Sequence, residues 1–113
     1  MKYFRIEEFN CQETGNNEMN PDFLEKVDEL RGRCGFPLTV TSGYRDPSHS
    51  IEVLKNNPGT HTQGIAADLR AQSANHRHII LTNAFEMGFT GIGIAKTFIH
   101  VDTRDSIPVV WTY

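Results

Sequence analysis

The sequence predicts a small α+β fold, in which a mostly antiparallel sheet packs two helices on one of its faces. Two segments have the apolar periodicity and the end signals of helices. Two other segments alternate apolar and polar residues as half-buried strands do. The chain has 113 residues, a length that supports one domain with a modest core. We therefore expect a single domain over residues 1–113.

The first helix has strong signals at both ends. Asn20 is a favourable N-cap residue, and Pro21 suits the first helical position. Apolar residues then recur at three- and four-residue intervals: Phe23, Val27, Leu30 and Cys34. Gly35 follows as a stop signal. We expect a helix that ends near Cys34 and buries one stripe in the core.

The second helix is predicted from Ser73, its N-cap, to Met87, with Gly88 as the stop. Its buried stripe is expected to contain Ile80, Ala84 and Met87, widened by Leu81 and Phe85. His76 and His78 are two residues apart, so on a helix they point in different directions. We interpret them as surface histidines.

Three further strands complete the predicted sheet. The first covers Phe36 to Thr41 and leads into the Ser42, Gly43, Tyr44, Arg45 stretch, followed by a long irregular segment over 46–58. The second, Phe89 to Ala95, contains Gly91 and Gly93 but lacks the third glycine and the following helix of a nucleotide-binding loop. The last is a short strand of Val109, Val110 and Trp111.

One candidate site begins with His61 and Asp68, which are seven residues apart. Gly64 interrupts the segment between them, and the residues after it alternate as a strand does. This pattern places His61 on a turn and Asp68 on a strand. Asp68 then lies on the face of the strand opposite to Ala67 and Leu69, where it can line a cleft.

A second stretch, residues 98–102, supplies more donors. Alternation directs Ile99 and Val101 to the core and projects His100 and Asp102 together on the other face. Two imidazoles and one carboxylate, with a fourth position for water, form an arrangement found in catalytic zinc sites. The set His61, Asp68 and His100 fits this open type, although other divalent ions accept the same donors.

These stretches occur in an order that resembles a known family. Ser42 to Arg45, His61 to Asp68, Gly91 to Gly93, residues 98–102 and Trp111 together resemble the zinc D-Ala-D-Ala carboxypeptidase family. The likeness is to its small single-domain branch, found in phage endolysins and murein hydrolases. It implies a zinc peptidase that cleaves bonds next to D-amino acids in peptidoglycan stem peptides, as a carboxypeptidase or an endopeptidase.

The resemblance also implies roles for individual residues. His61, Asp68 and His100 match the three Zn²⁺ ligands, and Arg45 matches an arginine that holds substrate or polarises its carbonyl. Ser42 and Tyr44 are further candidates for substrate binding, although Tyr44 is also suited to packing. Family members commonly carry an acidic general base three residues before the last histidine, where this chain has Thr97.

Asp102 has two possible roles because of this difference at position 97. It can act as the general base, since it shares the face of His100. It can instead orient the imidazole of a metal ligand, since zinc-bound histidines usually have such a partner. The sequence leaves these roles open.

Composition excludes several classes of protein. The net charge is −3 and no basic run is present, so a nucleic-acid footprint is not expected. No apolar run approaches the roughly 20 residues of a membrane span. Cys11 and Cys34 are too few for a disulfide scaffold, and either a pair of buried free thiols or one bridge fits the sequence. We expect a monomer.

The start of the sequence lacks the apolar core of a secretory signal. For a wall-directed enzyme, this predicts cytoplasmic synthesis with delivery by phage lysis or a virion, or a leader removed beforehand. The alternative function is a catalytically inactive, zinc-stabilised wall-binding or phage structural module, which Thr97 favours. A metal-free interaction domain would require all three candidate ligands to be incidental.

Overall fold

The computed structural model describes all 113 residues and contains two helices and five strands. The helices are α1 (Pro21–Cys34) and α2 (Ala74–Glu86). The strands are β1 (Val40–Ser42), β2 (Ala66–Arg70), β3 (Gly91–Ile94), β4 (Phe98–Asp102) and β5 (Val109–Thr112). Short 3₁₀ turns cover Ile6–Phe9 and Glu52–Leu54. The predicted α+β class is confirmed.

The five strands form one sheet in the order β1-β2-β4-β3-β5, with β4 at its centre. The pairs β1 with β2, β2 with β4, and β3 with β4 are antiparallel, and β5 joins β3 in parallel. The prediction of a mostly antiparallel sheet is therefore confirmed. Each of the two strands that carry candidate ligands, β2 and β4, has a neighbour on both sides.

Both helices begin as their cap residues predict. The Asn20 side chain accepts a hydrogen bond from Phe23 N at 3.0 Å, and Ser73 Oγ accepts one from His76 N at 2.9 Å. These bonds satisfy amide groups that have no partner within the first turn of a helix. Because the caps fix where each helix starts, they also fix which residues face the sheet.

The core lies between the helices and one face of the sheet. From the sheet, Ala67, Leu69, Ile99 and Val101 are completely buried. Val27 and Leu30 of α1 and Ile80 and Ala84 of α2 are also completely buried and belong to the same cluster. The alternation in β2 and β4 therefore sends the intervening residues, including Asp68 and His100, to the opposite face.

Two details of the predicted elements are wrong. The first strand begins at Val40, not Phe36, because Pro37 has no amide hydrogen to pair and Phe36 stacks on His76 with ring centroids 3.7 Å apart. Phe85 is 52% exposed and does not widen the buried stripe of α2. Since β1 is so short, the chain passes directly from it into the stretch that bears Arg45.

Cys11 and Cys34 are both buried, and both are free thiols. The structure therefore contains no disulfide bridge between them. None of the helices combines the length and the hydropathy needed to cross a membrane.

Candidate metal centre

The candidate ligands come from two paired strands and the turn that precedes one of them. In the antiparallel pair of β2 and β4, Asp68 lies directly opposite His100. His61 belongs to the turn before β2, where its carbonyl oxygen accepts hydrogen bonds from Arg45 N at 3.3 Å and Gly64 N at 3.2 Å. The sheet therefore fixes two ligands, and backbone hydrogen bonds fix the third.

The structure brings these three side chains together. Asp68 Oδ1 lies 3.1 Å from His100 Nδ1 and 3.4 Å from His61 Nε2. One donor atom from each residue lies within 4.8 Å of the other two, and all three residues are buried. Tetrahedral zinc with bonds of about 2.0–2.2 Å separates its ligand atoms by about 3.3–3.6 Å. The two separations measured from Asp68 Oδ1 are therefore close to those of a tetrahedral zinc site, so the chemistry and the placement of the donors fit zinc.

The hydrogen bond of His61 to the backbone selects its tautomer. His61 Nδ1 lies 2.7 Å from the carbonyl oxygen of Gly43. Because a carbonyl oxygen only accepts hydrogen bonds, Nδ1 carries the hydrogen and Nε2 keeps a free lone pair. That lone pair is on the nitrogen nearest Asp68, where a metal ligand must be.

Asp102 fixes the orientation of the His100 imidazole from the side opposite Asp68. Asp102 Oδ2 accepts from His100 Nε2 at 2.7 Å, so Nδ1 is the nitrogen that faces the other candidate ligands. Arg104 donates from its backbone and side chain to the same carboxylate, with Nη2 2.7 Å from Oδ2. Asp102 is completely buried, and both of its oxygens are occupied. This geometry favours the orienting role.

The two buried carboxylates are held in their charged form. Burial alone raises the pKa of Asp68, but the neighbouring His100 and His61 side chains outweigh burial and hold this pKa well below its usual range. Burial likewise opposes charge on Asp102, yet hydrogen bonds from His100 and Arg104 hold its pKa well below the usual range. A carboxylate with so low a pKa is a weak proton acceptor.

Arg45 lies beside this centre, as the resemblance implies. Its Nη2 is 3.6 Å from Asp68 Oδ2, and its Nη1 is 3.6 Å from Glu52 Oε2. Its Nε donates to Ser42 Oγ at 3.3 Å. Ser42 therefore contacts Arg45 and does not line the cleft itself.

Tyr44 is not brought into the cleft. Its side chain is buried, and its hydroxyl donates to Glu18 Oε2 at 2.9 Å. Burial and this hydrogen bond raise the pKa of Tyr44 to about 12. The packed position that the sequence also allowed is the one observed.

The donors lie at an open cleft of about 750 Å³. Phe98, Trp111 and Tyr113 form an aromatic wall, with the Trp111 ring centroid 5.0 Å from that of His100. Lys55, Arg45 and Arg104 add positive charge around the cleft. Thr97 is exposed and does not line the cleft, so an acidic residue at this position would not face it in this structure.

Two side chains that hold parts of the site in place, Glu52 and Arg104, were not predicted from the sequence. Arg104 continues the alternation of His100 and Asp102 beyond the end of β4, and this spacing was a usable signal. Glu52 is a buried carboxylate in the loop over 46–58. No local pattern distinguishes it from the exposed polar residues of that loop, because its contacts depend on how an irregular segment folds and follow no regular period.

Two imidazoles and a carboxylate at an open cleft define a candidate zinc hydrolase. The Peptidase M15 family model matches residues 2–102 of the chain. The chain therefore belongs to the M15 family of zinc D-Ala-D-Ala carboxypeptidases. Comparison with curated protein sequences gives no match. The family is zinc-dependent, so membership supports a metallopeptidase with a peptide substrate.

Proposed function

We propose that this protein is a zinc-dependent peptidase that hydrolyses bonds next to D-amino acids in peptidoglycan stem peptides. The observation that carries the proposal is the convergence of His61, Asp68 and His100 at one end of an open cleft. Family membership makes zinc the expected metal. The donors line an open cleft, as a catalytic zinc site with a free coordination position requires, whereas structural zinc sites are closed.

In this proposal the three ligands would be His61 Nε2, His100 Nδ1 and the Asp68 carboxylate. Zinc bound there would polarise the scissile carbonyl and make a water molecule nucleophilic near neutral pH. Arg45 would donate a hydrogen bond to the oxyanion that develops on the substrate, a contribution of about 3 kcal/mol for a well-aimed donor. Glu52 and Ser42 would keep its guanidinium beside the ligands.

Asp102 would hold His100 and would not accept the proton of the attacking water. Its two oxygens already receive hydrogen bonds from His100 and Arg104, and it has no exposed surface. Asp105, in the loop after β4, is an exposed carboxylate that lines the cleft. It is the better-placed candidate for proton transfer.

The first test is a digest of purified peptidoglycan with zinc-loaded protein, with and without a chelator. We expect new stem-peptide fragments in mass spectra, and we expect them to vanish when the chelator removes the metal. Release of one terminal residue would identify a carboxypeptidase, and a cut within a peptide or cross-link would identify an endopeptidase. Bound zinc without any released peptide would contradict this function and favour the inactive wall-binding module.

Replacement of Asp102 by asparagine separates its two predicted roles. Because the amide cannot reproduce the paired charge between His100 and Arg104, we expect zinc affinity to fall about 10- to 100-fold. Saturating zinc should then restore much of the turnover. The measurements are a zinc titration and peptide hydrolysis at full zinc occupancy.

Asp105→Asn is the matched control for zinc affinity, since it changes an exposed carboxylate near the same cleft, and as the candidate for proton transfer it is expected to lower turnover. It is expected to leave zinc affinity unchanged. Turnover that stays low in Asp102→Asn at full zinc occupancy would instead support Asp102 as the general base. If zinc affinity and turnover are both unaltered in Asp102→Asn, neither role is correct.

A further inference from the structure

Glu52 is a buried carboxylate outside the proposed ligand set. It begins the short 3₁₀ turn Glu52–Leu54, and its side chain is only 2% exposed. A charged side chain at such a site is costly unless it is paired and hydrogen-bonded. The neighbouring side chains of Ile51, Val53 and Leu54 are all exposed, so apolar burial does not account for the turn. The contacts of the Glu52 carboxylate account for the turn instead.

The two carboxylate oxygens of Glu52 bind different parts of the site. Oε1 accepts from Thr62 Oγ1 at 2.8 Å and from Gly59 N at 3.3 Å, and both residues belong to the segment that bears His61. Oε2 accepts from Lys55 Nζ at 2.8 Å and lies 3.6 Å from Arg45 Nη1. One side chain therefore connects the ligand turn to the arginine of the cleft.

Arg45 is placed between two carboxylates. Nη1 faces Glu52, and Nη2 faces Asp68 at the same distance of 3.6 Å. Without the charge of Glu52, the remaining acidic partner of this guanidinium would be Asp68, a proposed zinc ligand. A closer pair with Asp68 would draw Arg45 away from the substrate and occupy ligand oxygens at the same time.

We propose that Glu52 is a positioning residue, which holds Arg45 in the cleft and keeps it from pairing fully with Asp68. This inference rests on the proposed function, because the role of Arg45 is defined by it. Glu52 does not line the cleft that contains the proposed ligands. It acts through Arg45, and through Thr62 and Gly59 it also steadies the turn before β2.

The test compares Glu52→Gln with Glu13→Gln. Glutamine keeps the shape of Glu52 and an oxygen for Thr62 but removes the charge that faces Arg45. Glu13 is the control because its carboxylate contacts the same loop, accepting from Ser50 Oγ at 2.6 Å, and it does not line the cleft. We expect kcat/KM to fall about 10- to 100-fold in Glu52→Gln and to stay unchanged in Glu13→Gln.

The decisive measurement is a double-mutant cycle with Arg45→Ala. If Glu52 acts through Arg45, adding Glu52→Gln to Arg45→Ala should lower kcat/KM by less than about twofold. An equal loss in both backgrounds would overturn the proposal. If Glu52→Gln does not fold, Glu52→Asp, which keeps the charge but withdraws it from Arg45, replaces it in the same cycle.

A second readout does not depend on hydrolysis. In a crystal structure of Glu52→Gln, the guanidinium of Arg45 should shift towards Asp68 and pair with it at about 2.7–2.9 Å, whereas in Glu13→Gln it should keep the 3.6 Å separation. An Arg45 side chain that keeps its wild-type position in Glu52→Gln would overturn the positioning role. If the wild-type protein releases no peptide, the proposed function fails, and this measurement still decides whether Glu52 holds Arg45.

Discussion

Replacement of His61 by alanine is expected to abolish stoichiometric zinc binding and to lower peptide hydrolysis by at least about 10³-fold. The change removes one of three proposed ligands and leaves the Gly43 carbonyl without its partner. A bound metal contributes several kcal/mol of transition-state stabilisation, and each 1.36 kcal/mol corresponds to a factor of ten in rate. Zinc content by elemental analysis and the peptidoglycan digest measure the two effects.

His78→Ala is the matched control for this change. His78 is an exposed residue of α2 on the far side of the sheet from the ligands, so its removal should change neither zinc content nor rate. Full zinc occupancy in His61→Ala would show that His61 is not a ligand. Equal losses in both variants would point to a general loss of the fold.

Replacement of Gly64 by alanine is expected to cost about 2–6 kcal/mol of unfolding free energy. Gly64 has φ of +75°, a conformation that costs other residues about 1–3 kcal/mol. An added Cβ would also collide with the carbonyl oxygen of Glu18, and such overpacking costs about 1–3 kcal/mol more. Since small domains have about 5–15 kcal/mol of stability, this variant is expected to lose a large fraction of its stability.

Gly35→Ala provides the control for the conformational part of that cost. Gly35 has φ of +76° at the end of α1, but an added Cβ would have no atom within 4 Å. Gly35→Ala should therefore lower the free energy of unfolding by only about 1–3 kcal/mol. Urea unfolding of both variants measures the difference, and equal costs would show that the contact between Gly64 and Glu18 is unimportant.

The sequence was informative where local chemistry determines structure. Asn20 and Ser73 predicted both helix starts because a cap acts on amides two or three residues away. Alternation in β2 and β4 predicted that Asp68 and His100 would leave the core face, and the structure pairs them. Alternation along the strands was therefore enough to place Asp68 and His100 on one face, whereas His61, on a turn, joined the predicted set through its donor chemistry and the family resemblance.

The sequence was uninformative where a contact depends on how an irregular segment folds. Glu52 reaches Arg45 and Thr62 only after the loop has folded over the turn before β2, so no periodicity marks it. The parallel pairing of β5 with β3 likewise depends on how the loop after β4 returns to the sheet. Arg104 is an intermediate case. Its spacing from His100 and Asp102 continues the two-residue alternation that was already recognised in β4.

The strand order places the cleft across both the interior and the edges of the sheet. Asp68 and His100 lie on inner strands, whereas Trp111 lies on the edge strand β5 and Arg45 follows the edge strand β1. Backbone amides at a sheet edge exchange through small openings, and central strands exchange only with larger unfolding. We therefore expect faster amide hydrogen exchange around Trp111 and Arg45 than around Asp68 and His100.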